Sequence, residues 1–421
     1  MNNFTKRVLG DANAHAHLRD WGLTLEPNTL NVNGRVLDPE TLMFGNNYRE
    51  VVRPNADWGR TATTKMVLTP VPLNKWAIVF IEKNENIVKN FCKIMQQQGP
   101  KMGIPVSNPR VVKLKDDRTE SYLKELRQLI DPSVQLVVTI FPQMKSDRYA
   151  AVKKLCCVEM PVASQVINLK TISNEKRLVS VVQKVALQIN CKLGGEVRFL
   201  LDFWGCSCSN LFSLQLWACV TPFKGLMVVG IDIYHDATRK GGSIAGVVCS
   251  MNDACTKYFS LSVEQKQGQE IMDALRIAFI EGLIKYWEAN QRWPNQIVVF
   301  RDGVGDGQLE ATEKHEAEQF QRVFTNGNGH NGASEVSKMQ SKLSEMIPDN
   351  YKPGFAFVVV QKRINTRIVS IVRKGNRNDY ANPPPGTVVD HTVTRYRYKD
   401  FFLVPQAVNQ GTVSPTHFIG K

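Results

Sequence analysis

Short apolar segments alternate with amphipathic helical segments along this chain of 421 residues, and no other feature restricts its fold as strongly. Strands that are separated by helices pair in parallel, because the chain must cross over the sheet between them. We therefore predict an α/β domain with a parallel sheet in the first half of the chain. Its strands are predicted at 75–80, 110–114, 134–141 and 165–169, and its helices at 84–98, 118–130, 148–156 and 179–190.

A second α/β series begins at Gly225 and predicts a second domain. Its long helix is predicted at 267–287, where apolar side chains recur at helical spacing. The glycine- and asparagine-rich segment 325–335 is typical of a surface loop. Residues 1–71 are mixed and polar, which indicates an extended connecting segment without a core of its own. The strands of the second domain are predicted at 226–233, 245–251, 257–263, 296–300, 355–360, 387–395 and 401–404.

The chain is strongly basic, with a formal net charge of +14 and a pI of about 9.3. This balance favours a polyanionic partner, most often nucleic acid, although a basic enzyme without such a partner has the same composition. The nine cysteines show neither zinc-site spacing nor a disulfide pattern, which favours a reducing intracellular compartment. The N-terminus lacks the apolar region of a secretory signal, and charged residues interrupt the apolar stretch 197–220. We therefore predict neither a leader peptide nor a membrane span.

Acidic side chains stand at the ends of predicted elements in the second domain. Asp232 and Asp302 follow buried strands, and Glu270 opens the long helix between them. Three carboxylates that converge from separate elements hold two divalent cations in many phosphodiester-cleaving sites, and Mg²⁺ prefers oxygen ligands. A neutral histidine such as His417 completes the shell in this interpretation. Alternatively, each aspartate is a turn or helix cap, which is the commoner role of an Asp after a strand.

Six motifs follow one another in the second half of the chain: GIDIYHD (230–236), QGQEIMDAL (267–275), FRDGVGDGQ (300–308), QKRINTR (361–367), NPPPGTVVD (382–390) and GTVSPTHF (411–418). In this order they resemble the PIWI domain of PIWI-clade Argonautes. The resemblance implies an RNase H-like fold and a magnesium- or manganese-dependent endoribonuclease. It also implies that Asp232, Glu270, Asp302 and His417 are the metal-binding catalytic tetrad.

Four further motifs resemble the MID domain of the same family, which has a Rossmann-like α/β fold and grips the 5′ end of a guide RNA. They are RYAAVKK (148–154), PVASQ (161–165), ALQIN (186–190) and CKLGGE (191–196). The resemblance implies that Tyr149 stacks on the first base, that Lys153, Gln165 and Lys192 contact the phosphate, and that Gln188 helps to hold a magnesium ion. Without it, the favoured interpretation is that Tyr149 is a half-buried packing residue and that the lysines are solvated.

The resemblance divides the chain into a linker (1–71), a MID domain (72–196), an atypical insertion (197–215) and a C-terminally incomplete PIWI domain (216–421). The insertion has no clear helical or strand period, and its ends are compatible with a retained intron or with a genuine surface insertion. The N-terminal and PAZ domains of the family do not precede the linker, and the chain stops shortly after the PTHF motif.

From these features we predict a piRNA-type, guide-dependent RNA-silencing protein that cleaves paired target RNA by two-metal hydrolysis. Its predicted partners are a small guide RNA, a complementary target RNA and silencing proteins, and the cytoplasm is favoured over the nucleus. The basic residues Lys362, Arg363 and Arg367 are candidates for contacts with the guide backbone. The alternatives are a guide-binding module without cleavage and a non-functional truncated isoform. The family further implies germline expression.

Overall fold

The computed structural model describes residues 2–26, 28–53, 55–197, 199–201, 224–235, 243–265, 270–324, 335–348, 350–375, 377–408 and 410–420. The connecting segment opens with two exposed helices, α1 (Asn2–Gly10) and α2 (Ala12–Asp20). It continues through strands β1 (Arg35–Val36), β2 (Thr41–Met43) and β3 (Arg49–Val51) to helix α3 (Gly59–Thr64).

The connecting segment has a small core, contrary to the sequence expectation. Leu42, Phe44, Val52 and Ala62 are buried together and pack against Leu187 of the first α/β unit. The predicted insertion also contributes regular structure, because strand β8 (Phe199–Leu201) pairs antiparallel with β2. The lack of a strand period in the insertion was therefore misleading at its start. Its residues 202–215 lie outside the described residues.

The first α/β unit contains a four-stranded parallel sheet with the order β5-β4-β6-β7. Every residue of β4 and β6 is buried, which explains their unbroken apolar sequences, since helices cover both faces of a parallel sheet. The strands are β4 (Trp76–Ile81), β5 (Arg110–Leu114), β6 (Leu136–Phe141) and β7 (Ala163–Asn168).

Helices α4 and α8 pack on one face of this sheet, and α5 and α6 pack on the other. A π-helical turn (Leu155–Glu159) continues α6, and the long α8 follows directly after the short α7. The helices are α4 (Glu85–Gln98), α5 (Thr119–Leu129), α6 (Ser146–Lys154), α7 (Leu169–Ile172) and α8 (Glu175–Lys192).

The second unit is built on a nine-stranded mixed sheet with the order β1-β16-β17-β18-β13-β12-β9-β10-β11. Strands β9, β12 and β13 are parallel to one another, and the remaining pairs are antiparallel. The central strands are β9 (Leu226–His235), β10 (Ser243–Ser250), β11 (Tyr258–Gln265), β12 (Gln296–Asp302) and β13 (Gly354–Gln361). The strands near the C-terminus are β16 (Thr387–Val389), β17 (Lys399–Leu403) and β18 (Thr416–Gly420).

A separate hairpin of β14 (Ser370–Lys374) and β15 (Arg377–Ala381) was not predicted, and the predicted strand 387–395 is limited to the short β16. The long helix α9 (Glu270–Asn290) begins at Glu270. The other helices of this unit are α10 (Leu309–Thr312), α11 (Glu318–Arg322) and α12 (Glu335–Met346). Among the described residues, no helix has the length and apolar character that crossing a bilayer requires.

The two faces of the large sheet carry different clusters. On the helix face, the odd-numbered residues of β9 and β12, such as Ile231 and Val299, pack with α9. On the opposite face, even-numbered residues such as Val228 and Phe300 pack with Phe418. Successive side chains of a strand point to opposite faces. In β9 and β12, odd-numbered side chains therefore lie on the helix face and even-numbered side chains on the opposite face.

Candidate functional site

The Asp232 and Asp302 carboxylates flank one glycine, where the pairing between the parallel strands β9 and β12 ends. In β9 and β12, Ile231 pairs with Arg301, so Asp232 and Asp302 follow at the same level. Oδ1 of Asp302 accepts a hydrogen bond from the Gly303 N–H at 2.9 Å. Oδ1 of Asp232 lies 3.9 Å from the position that a Cβ atom on Gly303 would occupy. The structure therefore brings these two predicted residues together, and Asp232 is open to solvent.

A cationic side chain already lies at this carboxylate pair. The Nζ of Lys362 is 2.5 Å from Oδ2 of Asp302, and Lys362 is largely exposed. Glu270 is the first residue of α9, and its side chain lies outside the described residues. Within the described part of the chain, no three acidic, histidine or cysteine side chains converge as metal ligands. The observed donor set is thus two carboxylates, whose oxygens suit Mg²⁺ or Mn²⁺.

The structure does not bring His417 to these carboxylates. His417 pairs with Gln361 of β13 and with Phe402 of β17, one residue before the Phe418–Val360 pair. Its neighbour Phe418 lies on the opposite face, whereas Ile419 lies on the helix face. By alternation, His417 faces the helix side and the even-numbered aspartates face the other side. The expectation that His417 completes their shell is corrected by this register.

His417 instead forms a buried pair with an aspartate. Its Nε2 lies 2.8 Å from Oδ2 of Asp400, and its ring stacks on Phe402 with centroids 4.1 Å apart. Burial lowers the pKa of His417, although the hydrogen bond to Asp400 acts in the other direction. His417 is thus part of the packed interior of the second unit rather than of the carboxylate pair.

A second site is formed by α6, β7 and α8 at one end of the first sheet. Lys153 Nζ donates to the Ser164 hydroxyl at 2.8 Å and to the Ser164 carbonyl at 3.1 Å. Lys192 Nζ donates to the same carbonyl at 2.8 Å and to Oε1 of Gln165 at 2.7 Å. Two ammonium groups from separate helices therefore converge on one strand.

The remaining predicted residues of this site join the same cluster. Nε2 of the buried Gln165 donates to Oε1 of Gln188 at 3.3 Å. The Tyr149 ring is 43% exposed, and Lys153 Nζ lies 5.8 Å from its centroid. Desolvation and the positive charge of Lys153 lower the pKa of Lys192. An anion placed here would relieve that repulsion, so the arrangement suits a phosphate beside an exposed aromatic face.

A buried arginine anchors the helix that carries Tyr149 and Lys153. Arg148 is 1% exposed, and its guanidinium contacts the Asp117 carboxylate at 2.8 Å and carbonyl at 2.6 Å. It also lies about 5 Å from the ring centroids of Tyr122 and Phe141. Sequence reasoning missed Arg148 and Ser164 as supporting residues, although each directly precedes a predicted site residue in its motif.

A parallel α/β unit with a basic pocket, followed by a mixed sheet with paired aspartates, is the architecture of an Argonaute MID–PIWI lobe. The Piwi domain family model matches residues 136–419, and the chain belongs to the Piwi family. The expected fold, a Rossmann-like MID domain followed by an RNase H-like PIWI domain, is confirmed.

Relatives with known names match nearly the whole chain. It is 39% identical to Piwi-like protein Ago3 of Bombyx mori, covering 99% of this chain and 40% of that protein. It is 37% identical to Protein argonaute-3 of Drosophila melanogaster, covering 100% of this chain and 43% of that protein. The chain thus spans about two fifths of the length of these relatives.

Solved structures agree with the fold. The crystal structure of Drosophila Piwi has a TM-score of 0.79 and 26% identity, covering 100% of this chain and 52% of that one. The crystal structure of Kluyveromyces polysporus Argonaute with a guide RNA has a TM-score of 0.71, covering 92% of this chain and 47% of that one. At 19% identity, the second likeness concerns the fold alone.

Proposed function

We propose that this chain binds the 5′-phosphorylated end of a piRNA-type guide RNA and cleaves target RNA that is paired to the guide. The observation that carries the proposal is the convergence of Lys153, Lys192 and Gln165 beside the exposed ring of Tyr149. Each of these residues lies in one of the motifs that resemble a MID domain. Family membership and the basic charge of the chain support the same partner class.

The pocket recognises an end of the guide rather than its sequence. Lys153 and Lys192 supply positive charge, and the amides of Gln165 and Gln188 supply further polar contacts. A magnesium ion beside the Gln188 Oε1 would add charge for the same phosphate. Stacking of the first base on Tyr149 contributes roughly 1–3 kcal/mol and tolerates every base, because each has an aromatic face. Base pairing by the guide then supplies target specificity.

Cleavage is assigned to the Asp232 and Asp302 carboxylates, with Glu270 at the start of α9 as the third acidic residue. Their oxygens would hold Mg²⁺ or Mn²⁺, and the ion pair between Lys362 and Asp302 supports a position that attracts cations. When bound, such ions supply an activated water and offset charge on the leaving oxygen. The exposed position of Asp232 leaves the scissile phosphate free to approach.

The rival function is guide binding without cleavage, and the placement of His417 favours it. That side chain lies on the other face of the sheet, so the described residues supply two of the four expected ligands at one point. In this case the chain would recruit silencing partners to the target. Both functions place the chain inside the cell, with the cytoplasm favoured.

Two assays on the full chain separate these functions. The first compares the affinity for one guide with a 5′-phosphate or a 5′-hydroxyl, for the unmodified chain and Lys153→Ala. Loss of a charge-assisted contact weakens binding of the phosphorylated guide by roughly tenfold or more, with little change for the hydroxyl guide. Equal affinities for the two guides would contradict the proposed pocket.

The second assay follows a labelled complementary target in Mg²⁺ or Mn²⁺. We expect a single cut that Asp232→Ala and Asp302→Ala abolish while guide affinity is retained. Guide binding without any metal-dependent product would instead establish the binding module. An exposed acid in the other domain, Glu175, provides the matched control as Glu175→Ala.

A further inference from the structure

Glu196 is a half-buried carboxylate that takes part in neither proposed site. It lies four residues after Lys192, where the first α/β unit ends. Its main chain exchanges two hydrogen bonds with Thr69, at the point where the connecting segment enters that unit. Its Oε2 accepts a hydrogen bond from the Thr69 hydroxyl at 2.7 Å. Glu196 therefore joins the two points at which the chain enters and leaves the first α/β unit.

The other carboxylate oxygen of Glu196 binds the second unit. Oε1 accepts hydrogen bonds from the Thr256 hydroxyl and from Nδ2 of Asn252, the latter at 3.2 Å. Asn252 in turn donates to the Thr256 hydroxyl oxygen at 2.8 Å and accepts from its N–H at 3.0 Å. Burial alone would raise the pKa of Glu196, but the hydrogen bonds from Thr256 and Thr69 outweigh it and lower the pKa. The carboxylate is thus stabilised in its charged form.

The loop that Glu196 contacts is rigidly attached to the sheet that carries the aspartates. It connects β10 to β11, and β10 pairs directly with β9 at Gly246 and Asp232. Asp253 of the loop accepts from the Gly225 N–H at 3.0 Å and forms an ion pair with Arg292. Asn290, the last residue of α9, donates to the Met251 carbonyl at 3.0 Å. A displacement of this loop would therefore move the sheet with it.

The guide-end side of the junction is equally fixed. Asn190 is fully buried in α8, between Gln188 and Lys192. Its side chain accepts from the Val71 N–H at 2.9 Å and donates to the Thr69 carbonyl at 3.2 Å. Gly195 packs so closely that an added Cβ would lie 2.5 Å from the Asn190 side chain. The segment between helix α8 and Glu196 is therefore held in place by buried contacts.

We infer that Glu196 is a positioning residue that sets the distance between the guide-end pocket and the Asp232–Asp302 pair, and so selects the target phosphodiester that is cut. The inference rests on the proposed function for its consequence, but the junction itself is defined by the contacts. In the proposed function the pocket holds the guide 5′ end and the carboxylates cut the paired target, so the distance between them sets the position of the cut. A loosened junction therefore spreads cleavage over neighbouring phosphodiesters. Guide affinity is unaffected, since Glu196 does not contact the pocket residues.

The test that needs no activity is a distance distribution between the units. Fluorophores are placed by genetically encoded azide residues at the exposed positions Met144 and Ile371 of the full chain. In Glu196→Ala, the population outside the native distance increases by about tenfold, because three hydrogen bonds to a charged group are lost. Glu196→Gln, whose amide still bonds both sides, and the exposed control Glu175→Ala keep the narrow distribution.

Thr256→Val removes one of the two partners on the second unit and leaves the Asn252 contact, so it broadens the distribution in the same direction but less. It is the second variant to measure if Glu196→Ala does not fold. Combining it with Glu196→Ala adds little, as expected for two groups in one contact. On a guide-paired target, both single variants spread the cut beyond one phosphodiester, with guide affinity unchanged. A native distribution in Glu196→Ala, or a single cut position in it, overturns the inference. The distance distribution of Glu196→Ala can broaden although neither the unmodified chain nor any variant cuts the target. In that case the proposed cleavage is wrong, and the positioning role of Glu196 is retained.

Discussion

The ammonium group of Lys362 lies 2.5 Å from Oδ2 of Asp302, on the sheet face that also carries Asp232. Lys362 follows the last residue of β13, so the main chain delivers it to the edge where the carboxylates meet. A positive charge at this edge competes with any divalent cation for the same oxygen.

We expect Lys362→Gln to tighten divalent-cation binding by roughly two- to fivefold, because a partly exposed ion pair contributes up to about 1 kcal/mol. Mn²⁺ titration of the full chain, followed by calorimetry and by the metal-dependent rise in melting temperature, measures this effect. Lys113→Gln removes a lysine that pairs with Glu85 in the other unit and serves as the control. Unchanged or weaker Mn²⁺ binding in Lys362→Gln would show that the two cations do not compete.

The buried His417 should make the second unit sensitive to acid. Burial lowers its pKa in the folded chain, so the unfolded chain binds a proton first. Its stabilising contribution is complete above the ordinary histidine value of about 6.5 and decreases as the pH falls below that value. Each unit of difference between the two pKa values corresponds to a loss of about 1.4 kcal/mol.

Urea unfolding at pH 7.5, 6.5 and 5.5 measures this dependence. His417→Gln keeps a donor for Asp400 and is expected to flatten the profile below pH 6.5. The exposed His315, replaced as His315→Gln, should leave the profile as it is. Identical acid profiles for the unmodified chain and His417→Gln would contradict the assigned role of burial.

The lowered pKa of Lys192 makes a prediction about guide binding at alkaline pH. Desolvation and Lys153 destabilise its charged form in the free chain, whereas a bound phosphate stabilises it. As the pH rises, free Lys192 loses its proton earlier than an ordinary lysine with a pKa of about 10.4. The preference for a 5′-phosphate over a 5′-hydroxyl guide should therefore decline between pH 7 and 9.5.

Lys192→Arg separates this titration from general effects of alkali, because an arginine stays charged throughout that range. Equilibrium binding of both guides at each pH is expected to show a flat phosphate preference for Lys192→Arg and a declining one for the unmodified chain. A parallel decline in both proteins would assign the titration to another group.

A nearly buried ion pair supports the strand that presents Asp302. Arg301 and Glu316 are 8% and 13% exposed, and Nε and Nη2 of the arginine contact the two carboxylate oxygens at 2.7 and 3.2 Å. Arg301 also donates to the Asp302 carbonyl. Arg301→Met leaves Glu316 buried without this partner and is expected to lower the free energy of unfolding by about 3–5 kcal/mol.

Chemical denaturation measures that loss, and the double variant Arg301→Met with Glu316→Leu should recover most of it, since no unpaired charge then remains. The free energy of unfolding of Arg301→Lys is expected to lie between those of Arg301→Met and the double variant, because an ammonium group does not reproduce the bidentate contact. A loss below about 1 kcal/mol for Arg301→Met would place the pair in the class of exposed ion pairs.

Sequence patterns predicted the elements whose environment is uniform along their length. Strands β4 and β6 are buried on both faces, so an unbroken apolar run was sufficient evidence for them. The β14–β15 hairpin was missed because Ile371 and Tyr380 are exposed and no core imposes a pattern on it. Residues 199–201 form a strand because they pair with β2, and no local hydrophobic period predicts a pairing with a strand so distant in the chain.

The guide-end cluster was predictable as a set because its residues lie in compact motifs on α6, β7 and α8, and helical spacing puts Tyr149 and Lys153 on one side. Asp232 and Asp302 were predictable as neighbours because each comes directly after the buried apolar residues of its strand, and β9 and β12 are parallel neighbours. His417 was not, because its strand enters antiparallel beside β13, and a change of one residue in register moves a side chain to the other face.

The sequence by itself determined the family, the two α/β units and the residue types that are proposed to bind phosphate and metal, because these depend on local periodicity and short motifs. Only the tertiary structure decided which of those residues meet. The register of β18 assigned His417 to Asp400, the position of Lys362 at Asp302 placed a cation at the carboxylates, and Glu196 reached Thr256 across the junction. Such contacts join residues far apart in the chain, and their distances follow from packing rather than from sequence order.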